Sequence, residues 1–579
     1  MRTRLLRLSQ THFLIFLSLI VGTATGLGAY GFRALIEYFN ELFFGLSDQI
    51  LAAGADLELF GGYNWWLPLI PMLGGLLVGP IVFKFASEAK GHGVPEVMNS
   101  VARLGGIIRP RVAAAKTLAS AICIGSGGSA GREGPIVQIG SAIGSTVGQM
   151  FHLSGDRVKV LVGSGAAAGI AAVFNAPIAG VMFSLEIILG DFAIKTFSPV
   201  LLSAVVSSLV TWSLVGNYPA FEVPAYSLVS AWEILFYAVM AFGIGTLAVT
   251  FTRVLDWTED FFDRIKIPNW TKPGIGGLLL GGVAIFYPQI LADGYKTISL
   301  TLNGNLDLWL LVVLIGMKLL ATSLTLGSGN SGGIFAPSLF MGAVAGGAFG
   351  YMVNYLFPGS TAGPGAYALV GMAGMVAGTT HAPITAMLII FEMTRDYRII
   401  LPLMTTVVLS ALVAGRLYPQ SIYTIKLFKR GIDIRGGKDV NVLRSHHVSE
   451  VMSSEFESIP TAMTFFDILK KVETSRESYF IVNDRQGDIC GVLSIQNLRQ
   501  LFSQHQLDML VVAQDLVMSN PFTLTTDDDL DKTNEIFANG DYKLIPVVRP
   551  DQPKKVVGVV RREDFVSYYN KRLIETLRH

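Results

Sequence analysis

Long apolar stretches alternate with short polar breaks over the first three quarters of the chain. Apolar runs recur from Phe13 to about residue 418, and many are interrupted by Gly, Pro or Asn. A helix needs about 20 apolar residues to cross a hydrocarbon core of ~30 Å, and several of these runs are shorter. Irregular backbone is tolerated at membrane depth only where protein buries it or where it lines a cavity. The pattern therefore predicts an all-α polytopic membrane domain over residues 1–430, with tilted and broken helices.

The pattern changes after Lys429–Arg430. Charged residues become frequent, and short β-like runs such as Tyr479–Val482 and Leu544–Val548 stand beside turn residues. Strands that alternate with helices predict a small α/β region. This region also repeats internally, because Val451-Met452 matches Val517-Met518 at a shift of 66. We expect a linker at 431–446 and two similar units at 447–505 and 512–572.

Composition narrows the functional classes. Charged residues make up 15% of the chain and hydrophobic residues 51%, whereas soluble proteins carry about 25% charged residues. A soluble enzyme is therefore excluded. The formal net charge of +1 gives no basic surface for nucleic acid. The chain's two cysteines, Cys123 and Cys490, predict neither a disulfide framework nor a metal site.

The membrane domain contains an internal repeat. A shift of 202 residues aligns Gly125–Gly148 with Gly327–Gly350, and nine of the 24 positions are identical; Lys116 then aligns with Lys318. A second block matches at a shift of 206, where Glu186 aligns with Glu392. Two blocks in the same order indicate a duplicated unit. We expect two repeated, inverted halves at about 13–216 and 229–420, as in many transporters.

The repeat places a candidate anion site at two helix starts. Each half has a Ser/Gly loop followed by Pro, in GSGGSAGREGP and GSGNSGGIFAP. Proline suits the first turn of a helix, and the free amides and positive dipole end of a helix attract anions. Two such N-termini would form an anion site from backbone groups. The alternative is that these segments are Gly/Pro kinks that serve only packing.

These motifs resemble those of the CLC family of chloride channels and chloride/proton antiporters. The resemblance rests on GHGVP at 91–95, GREGP at 131–135, GIFAP at 333–337, a late Tyr423 and a tail like paired CBS domains. It implies a homodimer with one anion pathway in each subunit. Glu133 would be the gating glutamate, whose carboxylate competes with the anion. The amides of Ile334 and Phe335 and the hydroxyl of Tyr423 would face the anion. The other residues of the implied anion-binding set are His92, Gly93, Gly131, Arg132, Gly134, Gly333 and Ala336.

Local chemistry leaves alternatives for several of these residues. An acid in an apolar segment is costly unless it is functional or paired, so Glu133 either gates or forms a salt bridge with Arg132. A lone tyrosine such as Tyr423 often serves as an interfacial anchor. His92 stands where the family usually has a serine that holds the central anion. It can donate an N–H, add positive charge at low pH, or turn away.

The proton route of the family's antiporters is altered in this chain. The resemblance places Ile187 where those antiporters have an internal glutamate, and isoleucine carries no proton. This favours a channel-like pathway for chloride, with a chloride/proton antiporter as the alternative. Some members of the family move protons without an acid there. The neighbouring Glu186, with its repeat partner Glu392, is expected to have a structural role shared by both halves.

The CBS-like tail is a candidate nucleotide-binding region. Paired CBS domains commonly bind adenine nucleotides; Asp564 is the candidate ribose ligand of the second unit, and the first unit has Asn497 there. The alternative is a structural dimerisation module. No P-loop is present, so no hydrolysis and no required cofactor are expected.

Arginines near the start of the chain predict a cytoplasmic N-terminus, and we expect a cytoplasmic tail on a multi-pass protein of the plasma (cell inner) membrane. A magnesium carrier would need clustered carboxylates, and the apolar segments show isolated acids only. The duplicated broken helices speak against a nucleotide sensor without transport.

Overall fold

The computed structural model describes residues 10–45, 65–217, 226, 228–432, 443, 446–475, 477–495, 511–519, 522–540 and 542–578. The chain divides into two compact units, Met1–Ile432 and Asp433–His579. The positions of the expected linker at 433–442 and 444–445, and Asn497, lie outside the described residues.

The first unit is helical, as the apolar pattern predicts. Among the described residues, seven of its helices are long and apolar enough to cross a membrane. Its helices are α1 (Gln10–Asn40), α2 (Leu69–Pro80), α3 (Val94–Arg103), α4 (Pro110–Gly125), α5 (Glu133–Met150), α6 (Gly155–Phe174), α7 (Pro177–Phe183), α8 (Ile194–Val215), α9 (Glu233–Arg264), α10 (Lys272–Ala284), α11 (Tyr295–Leu302), α12 (Leu308–Gly327), α13 (Phe335–Leu356), α14 (Pro364–Thr380), α15 (Pro383–Thr394), α16 (Ile400–Leu417) and α17 (Thr424–Lys429). Single π-helical turns extend α1, α2 and α7, at Glu41–Gly45, Ile81–Phe85 and Ser184–Leu189.

The two halves pack on each other through reciprocal contacts. The hydroxyl of Ser120 lies 2.9 Å from that of Ser331, and the hydroxyl of Ser129 lies 3.1 Å from that of Thr322. A shift of 202 residues converts the first pair into the second. Such an exchange of partners is what a local two-fold relation between the halves produces. The duplication in the sequence is therefore also a duplication in the structure.

Small residues allow the helices of each half to pack closely. A Cβ atom on Gly140 of α5 would lie 2.2 Å from the carbonyl oxygen of Gly165 of α6. In the second half, a Cβ atom on Gly342 of α13 would lie 2.4 Å from the carbonyl oxygen of Gly371 of α14. Lipid chains are as apolar as the side chains, so no hydrophobic driving force brings helices together in a bilayer. Helices in lipid therefore associate through close packing of this kind. The glycine content of the chain serves this packing.

The second unit is a small α/β region with two sheets. Its strands and helices are β1 (Ser458–Pro460), α18 (Phe465–Thr474), β2 (Tyr479–Asn483), β3 (Ile489–Ser494), α19 (Ala513–Leu516), β4 (Met518–Ser519), β5 (Leu524–Thr525), α20 (Leu530–Asn539), β6 (Leu544–Arg549), β7 (Gln552–Arg561) and α21 (Arg562–Arg578). One sheet has the order β1-β2-β3-β4 and the other β5-β6-β7. In each sheet the first pair of strands is parallel, and every later pair is antiparallel.

The two tail repeats exchange their leading segments. Strand β4, at the start of the second repeat, pairs with β3 of the first. Conversely, Ser453 and Val559 of β7 exchange two backbone hydrogen bonds of 2.8 and 2.9 Å. Val448 is buried in the core of the second repeat with Phe537 and Phe565. The two repeats therefore form one intertwined body, although each contributes its own sheet.

Candidate functional site

Three glycine-containing loops from different parts of the chain meet at one point of the first unit. The amide of Gly131 donates to the carbonyl of Gly333 at 2.8 Å, and the amide of Gly333 donates to the carbonyl of Gly131 at 2.6 Å. The amide of Gly91 donates to Asn330, and its carbonyl accepts from Gly332. The contact between Gly131 and Gly333 is antiparallel, as expected for repeats of opposite orientation. The repeat therefore brings GREGP and GIFAP together, and GHGVP joins them.

The close approach of these loops requires residues without a Cβ atom. A Cβ atom on Gly134 would lie 2.4 Å from the carbonyl oxygen of His92, and one on Gly333 would lie 2.8 Å from the amide of Gly134. Both distances are far below van der Waals contact. Alanine at either position would push the loops apart and separate the helix starts behind them.

Glu133 lies in the first turn of α5 and is 1% exposed. Its carboxylate points to the start of the other half's helix, because Oε2 accepts from the amide of Ala336 at 3.4 Å. Its second oxygen, Oε1, accepts from the hydroxyl of Tyr295 at 2.5 Å. A negative charge is favoured at a helix N-terminus. The carboxylate thus occupies a position that suits a small anion.

Arg132 does not neutralise Glu133 directly. Among the described residues, these two side chains form no ion pair within 4.0 Å, and the guanidinium of Arg132 instead lies 4.9 Å from the centre of the Tyr295 ring. Its Nε atom is buried without a hydrogen-bond partner in the described part of the chain. The salt-bridge alternative for Glu133 is therefore absent from this structure.

The first turn of α13 presents amides toward the same region. Ile334 immediately precedes α13, Phe335 begins it, and both are buried. Within the described ranges, the amides of Ile334 and Phe335 donate to no protein acceptor, whereas the next amide, that of Ala336, reaches Glu133. Buried amides at a helix start need a partner, and an anion supplies one. Both residues remain candidates for the role the resemblance implies.

His92 and Tyr423 lie together in the interior. His92 is 6% exposed and Tyr423 is 2% exposed, and their ring centres are 5.7 Å apart. The Nδ1 atom of His92 is buried and has no hydrogen-bond partner among the described residues. An unpaired buried polar atom is costly, so this nitrogen is suited to an ion or a water molecule. Burial also removes Tyr423 from an interfacial position.

Two repeat-related lysines hold the loops near the site. The ammonium group of Lys116 donates to the carbonyls of Ala89 and Gly91 at 3.1 and 2.6 Å. That of Lys318 donates to the carbonyls of Ile290 and Ala292, both at 2.9 Å. Both lysines are 0% exposed. In each half, these hydrogen bonds fix the turn that precedes α3 or α11.

Ile187 and Asp564 belong to other elements of the structure. Ile187 is buried in the π-helical turn after α7, and its side chain carries no ionisable group. In the second unit, Asp564 lies in the first turn of α21, where one of its oxygens is 3.8 Å from Arg561. Within the described residues, no group of three or more His, Cys, Asp or Glu side chains could hold a metal ion.

Tyr295 is the site residue that sequence reasoning missed. A shift of 201 aligns the loop Ala292–Gly294 with Gly91–Gly93, but only Gly294 is identical to its partner. The equivalence is visible in the backbone, because Gly93 and Gly294 have φ of 82° and 77°. The alignment of Lys116 with Lys318 at nearly the same shift is a second signal that the loops are equivalent. Each lysine donates to a carbonyl of its own loop.

The family comparisons agree with this geometry. Residues 74–415 match the family model described as "Voltage gated chloride channel", and residues 448–504 and 512–571 match the CBS domain model. A putative chloride channel protein ClcB-like of Ralstonia nicotianae is 32% identical over 72% of this chain and 96% of its own length. An H(+)/Cl(-) exchange transporter ClcA of Vibrio campbellii is 34% identical over 71% of this chain and 88% of its own. Chloride channel protein CLC-f of Arabidopsis thaliana is 34% identical over 86% of this chain and 70% of its own.

Solved structures show the same architecture. A structure titled as a slow cyanobacterial Cl-/H+ antiporter has a TM-score of 0.67 and 27% identity, and the match covers 73% of this chain and 99% of that one. A eukaryotic CLC transporter, at 23% identity and a TM-score of 0.63, covers 95% of this chain and supports the fold alone. With the helical repeat and the paired CBS domains described above, these matches establish that the chain belongs to the CLC family of chloride channels and chloride/proton exchangers.

Proposed function

We propose that this protein carries chloride across a membrane through a pathway in each subunit that Glu133 gates. The supporting observation is the position of the Glu133 carboxylate between the starts of α5 and α13, where Ala336 donates to it. A carboxylate and a chloride ion compete for the same amides and the same positive helix ends. The ionised side chain therefore blocks the pathway.

Release of the block follows from the same electrostatics. Protonation removes the charge that draws Glu133 to the helix starts, and a high chloride concentration displaces the carboxylate by competition. The unpaired Nδ1 atom of His92 and the unpaired amides of Ile334 and Phe335 then offer donors to the passing ion. In this proposal Gly93, Gly131, Gly134 and Gly333 allow the backbone to approach the ion.

The proposed mode is channel-like, because buried Ile187 supplies no acid on the route by which antiporters of the family load protons. A chloride/proton exchanger is the second candidate. It is favoured by the relatives named as exchange transporters and by the structure titled as a cyanobacterial antiporter. The two modes differ in whether Glu133 only opens the pathway or also delivers a proton for each cycle.

The assembly, location and regulation belong to the same proposal. We place the protein in the plasma (cell inner) membrane as a homodimer, with the N-terminus and the CBS tail in the cytoplasm. Apolar side chains exposed on the repeat-related helices α8 and α16, including Leu209 and Leu412, suit either a partner subunit or lipid. CBS domains can bind adenine nucleotides, and Asp564 is the proposed ribose ligand.

The deciding experiment records chloride and proton movement together in liposomes that contain the purified protein. Chloride efflux must depend on the protein, or the transport proposal is wrong. A chloride gradient should then drive little uphill proton movement. Proton pumping in a fixed ratio to chloride would instead establish the exchanger.

A further inference from the structure

We infer that Tyr295 is a positioning residue that holds the ionised carboxylate of Glu133 in the anion pathway. This inference rests on the proposed gating by Glu133. It begins with the geometry of the contact, in which the Tyr295 hydroxyl donates to Glu133 Oε1 at 2.5 Å. Charged acceptors form the shortest hydrogen bonds from hydroxyl groups, at about 2.5–2.7 Å, and these are roughly twice as strong as neutral ones.

The repeat shows why a tyrosine at this position is distinctive. Gly93 and Gly294 both have positive φ and precede α3 and α11, and a buried lysine binds the carbonyls of each preceding turn. The residue after the glycine is Val94 in the first half and Tyr295 in the second. The valine has no polar group, so the shared fold of the loop does not require one. The hydroxyl therefore occurs at this position in the second half only, where it donates to Glu133 of the first half.

The surroundings of Tyr295 fix its ring. The guanidinium of Arg132 lies 4.9 Å from the ring centre, and Arg132 is the residue before Glu133. Cation–π contacts of this length are attractive, and more so when water is excluded. The ring is thus held between the arginine and the glutamate of one motif. This contact directs the hydroxyl to the carboxylate without an ion pair between Arg132 and Glu133.

Five charged or titratable groups among the described residues surround Glu133. Arg132 immediately precedes α5, Asp293 lies before α11, and Tyr295 is the first residue of α11. Lys318 lies on α12 and Tyr423 lies before α17. Among these groups Tyr295 donates a hydrogen bond to the carboxylate. A donor favours the ionised carboxylate over the protonated acid. Tyr295 therefore makes the blocked state persist to lower pH and higher chloride concentration.

The test is Tyr295→Phe in liposomes, measured as chloride flux against pH and against chloride concentration. A hydrogen bond to a charged group is worth enough to move a proton equilibrium by about one pH unit. The pH of half-maximal flux should therefore rise by about one unit, and half-release should need several-fold less chloride. The matched control is Tyr351→Phe, which removes a hydroxyl that donates to the carbonyl of Gly304 at 2.9 Å and should leave both values unchanged.

A second comparison separates this inference from the gating proposal. Tyr295→Phe should have no further effect on the pH profile when it is combined with Glu133→Gln, because there is no carboxylate left to hold. A shift of equal size in both backgrounds would mean that Tyr295 acts elsewhere and would overturn the inference. If Glu133→Gln flattens the profile and Tyr295→Phe leaves the wild-type profile in place, the inference fails while the gating proposal stands. A wild-type profile in Glu133→Gln itself would overturn the gating proposal.

Discussion

Glu186 and Glu392 exchange helix caps, and each carboxylate binds the first turn of the helix that leads to the other. Glu186 accepts from the amide and the hydroxyl of Thr385 in α15, at 2.8 and 2.6 Å, and α15 carries Glu392. Glu392 accepts from the amides of Ile178 and Ala179 in α7, at 3.0 and 2.6 Å. Helix α7 continues into the turn that holds Glu186. The structural role expected for this pair is therefore a reciprocal cap between the two halves.

Glu186→Ala and Glu392→Ala should each destabilise the membrane domain by about 1–2 kcal/mol, because each change leaves a helix start without its carboxylate. The loss should be similar for the two variants, and Gln at either position should cost less. Thermal unfolding in detergent checks this prediction. Chloride flux per folded protein should stay near the wild-type value. Normal stability of Glu186→Ala combined with a loss of proton movement would instead identify Glu186 as a proton carrier.

Glu133→Gln should leave the pathway open, with chloride flux nearly independent of pH. The amide mimics the protonated acid and is not drawn to the helix starts as a carboxylate is. Glu133→Ala should behave in the same way and should abolish any residual proton coupling. The measurement is flux per correctly assembled protein across a pH series. Poor folding of both variants with unchanged pH dependence of the remaining flux would argue for a structural role of the acid.

His92→Ser should preserve transport and change the affinity for chloride or its pH dependence. The buried Nδ1 atom of His92 has no partner among the described residues, and Tyr423 lies beside the ring. Histidine can change its charge between about pH 5 and 8, whereas serine cannot. Chloride binding isotherms of both proteins over that range check the prediction. Identical isotherms at every pH would show that His92 does not touch the ion.

The stability of the CBS region should depend on Glu450. The backbone amide of His447 and the hydroxyl of Tyr568 donate to its carboxylate at 3.0 and 2.8 Å, and they lower the pKa of Glu450 to about 2. Because the folded-state pKa is depressed, this contribution is present above about pH 4.5 and is lost as the pH falls toward 2. Hydrogen exchange of the Val448–Met452 amides in the full chain, corrected for intrinsic rates, should show this loss.

Glu450→Gln should weaken the protection of these amides already at neutral pH and remove most of its acid dependence. Glu473→Gln is the matched control, since Glu473 is an exposed carboxylate on α18. If the wild type and Glu450→Gln lose protection in parallel below pH 4.5, the carboxylate does not anchor this segment.

The sequence alone determined the class of the protein and the place of its chemistry. Low charge, broken apolar runs and a repeat at a shift of 202 indicated a duplicated helical membrane domain, and the GREGP and GIFAP motifs marked the two helix starts. These features can be read from the chain because they rest on local properties. Hydropathy decides which segments enter lipid, and Gly and Pro decide where a helix breaks and begins.

Tertiary structure decided which groups meet. Tyr295 lies 162 residues from Glu133 in the chain, and nothing in the local pattern of either segment indicates that the hydroxyl reaches the carboxylate. The reciprocal caps of Glu186 and Glu392, and the turns bound by Lys116 and Lys318, likewise depend on the two halves packing against each other. A hydrogen bond requires its atoms to lie within about 3 Å, and only the packed repeat brings residues from distant segments to that distance.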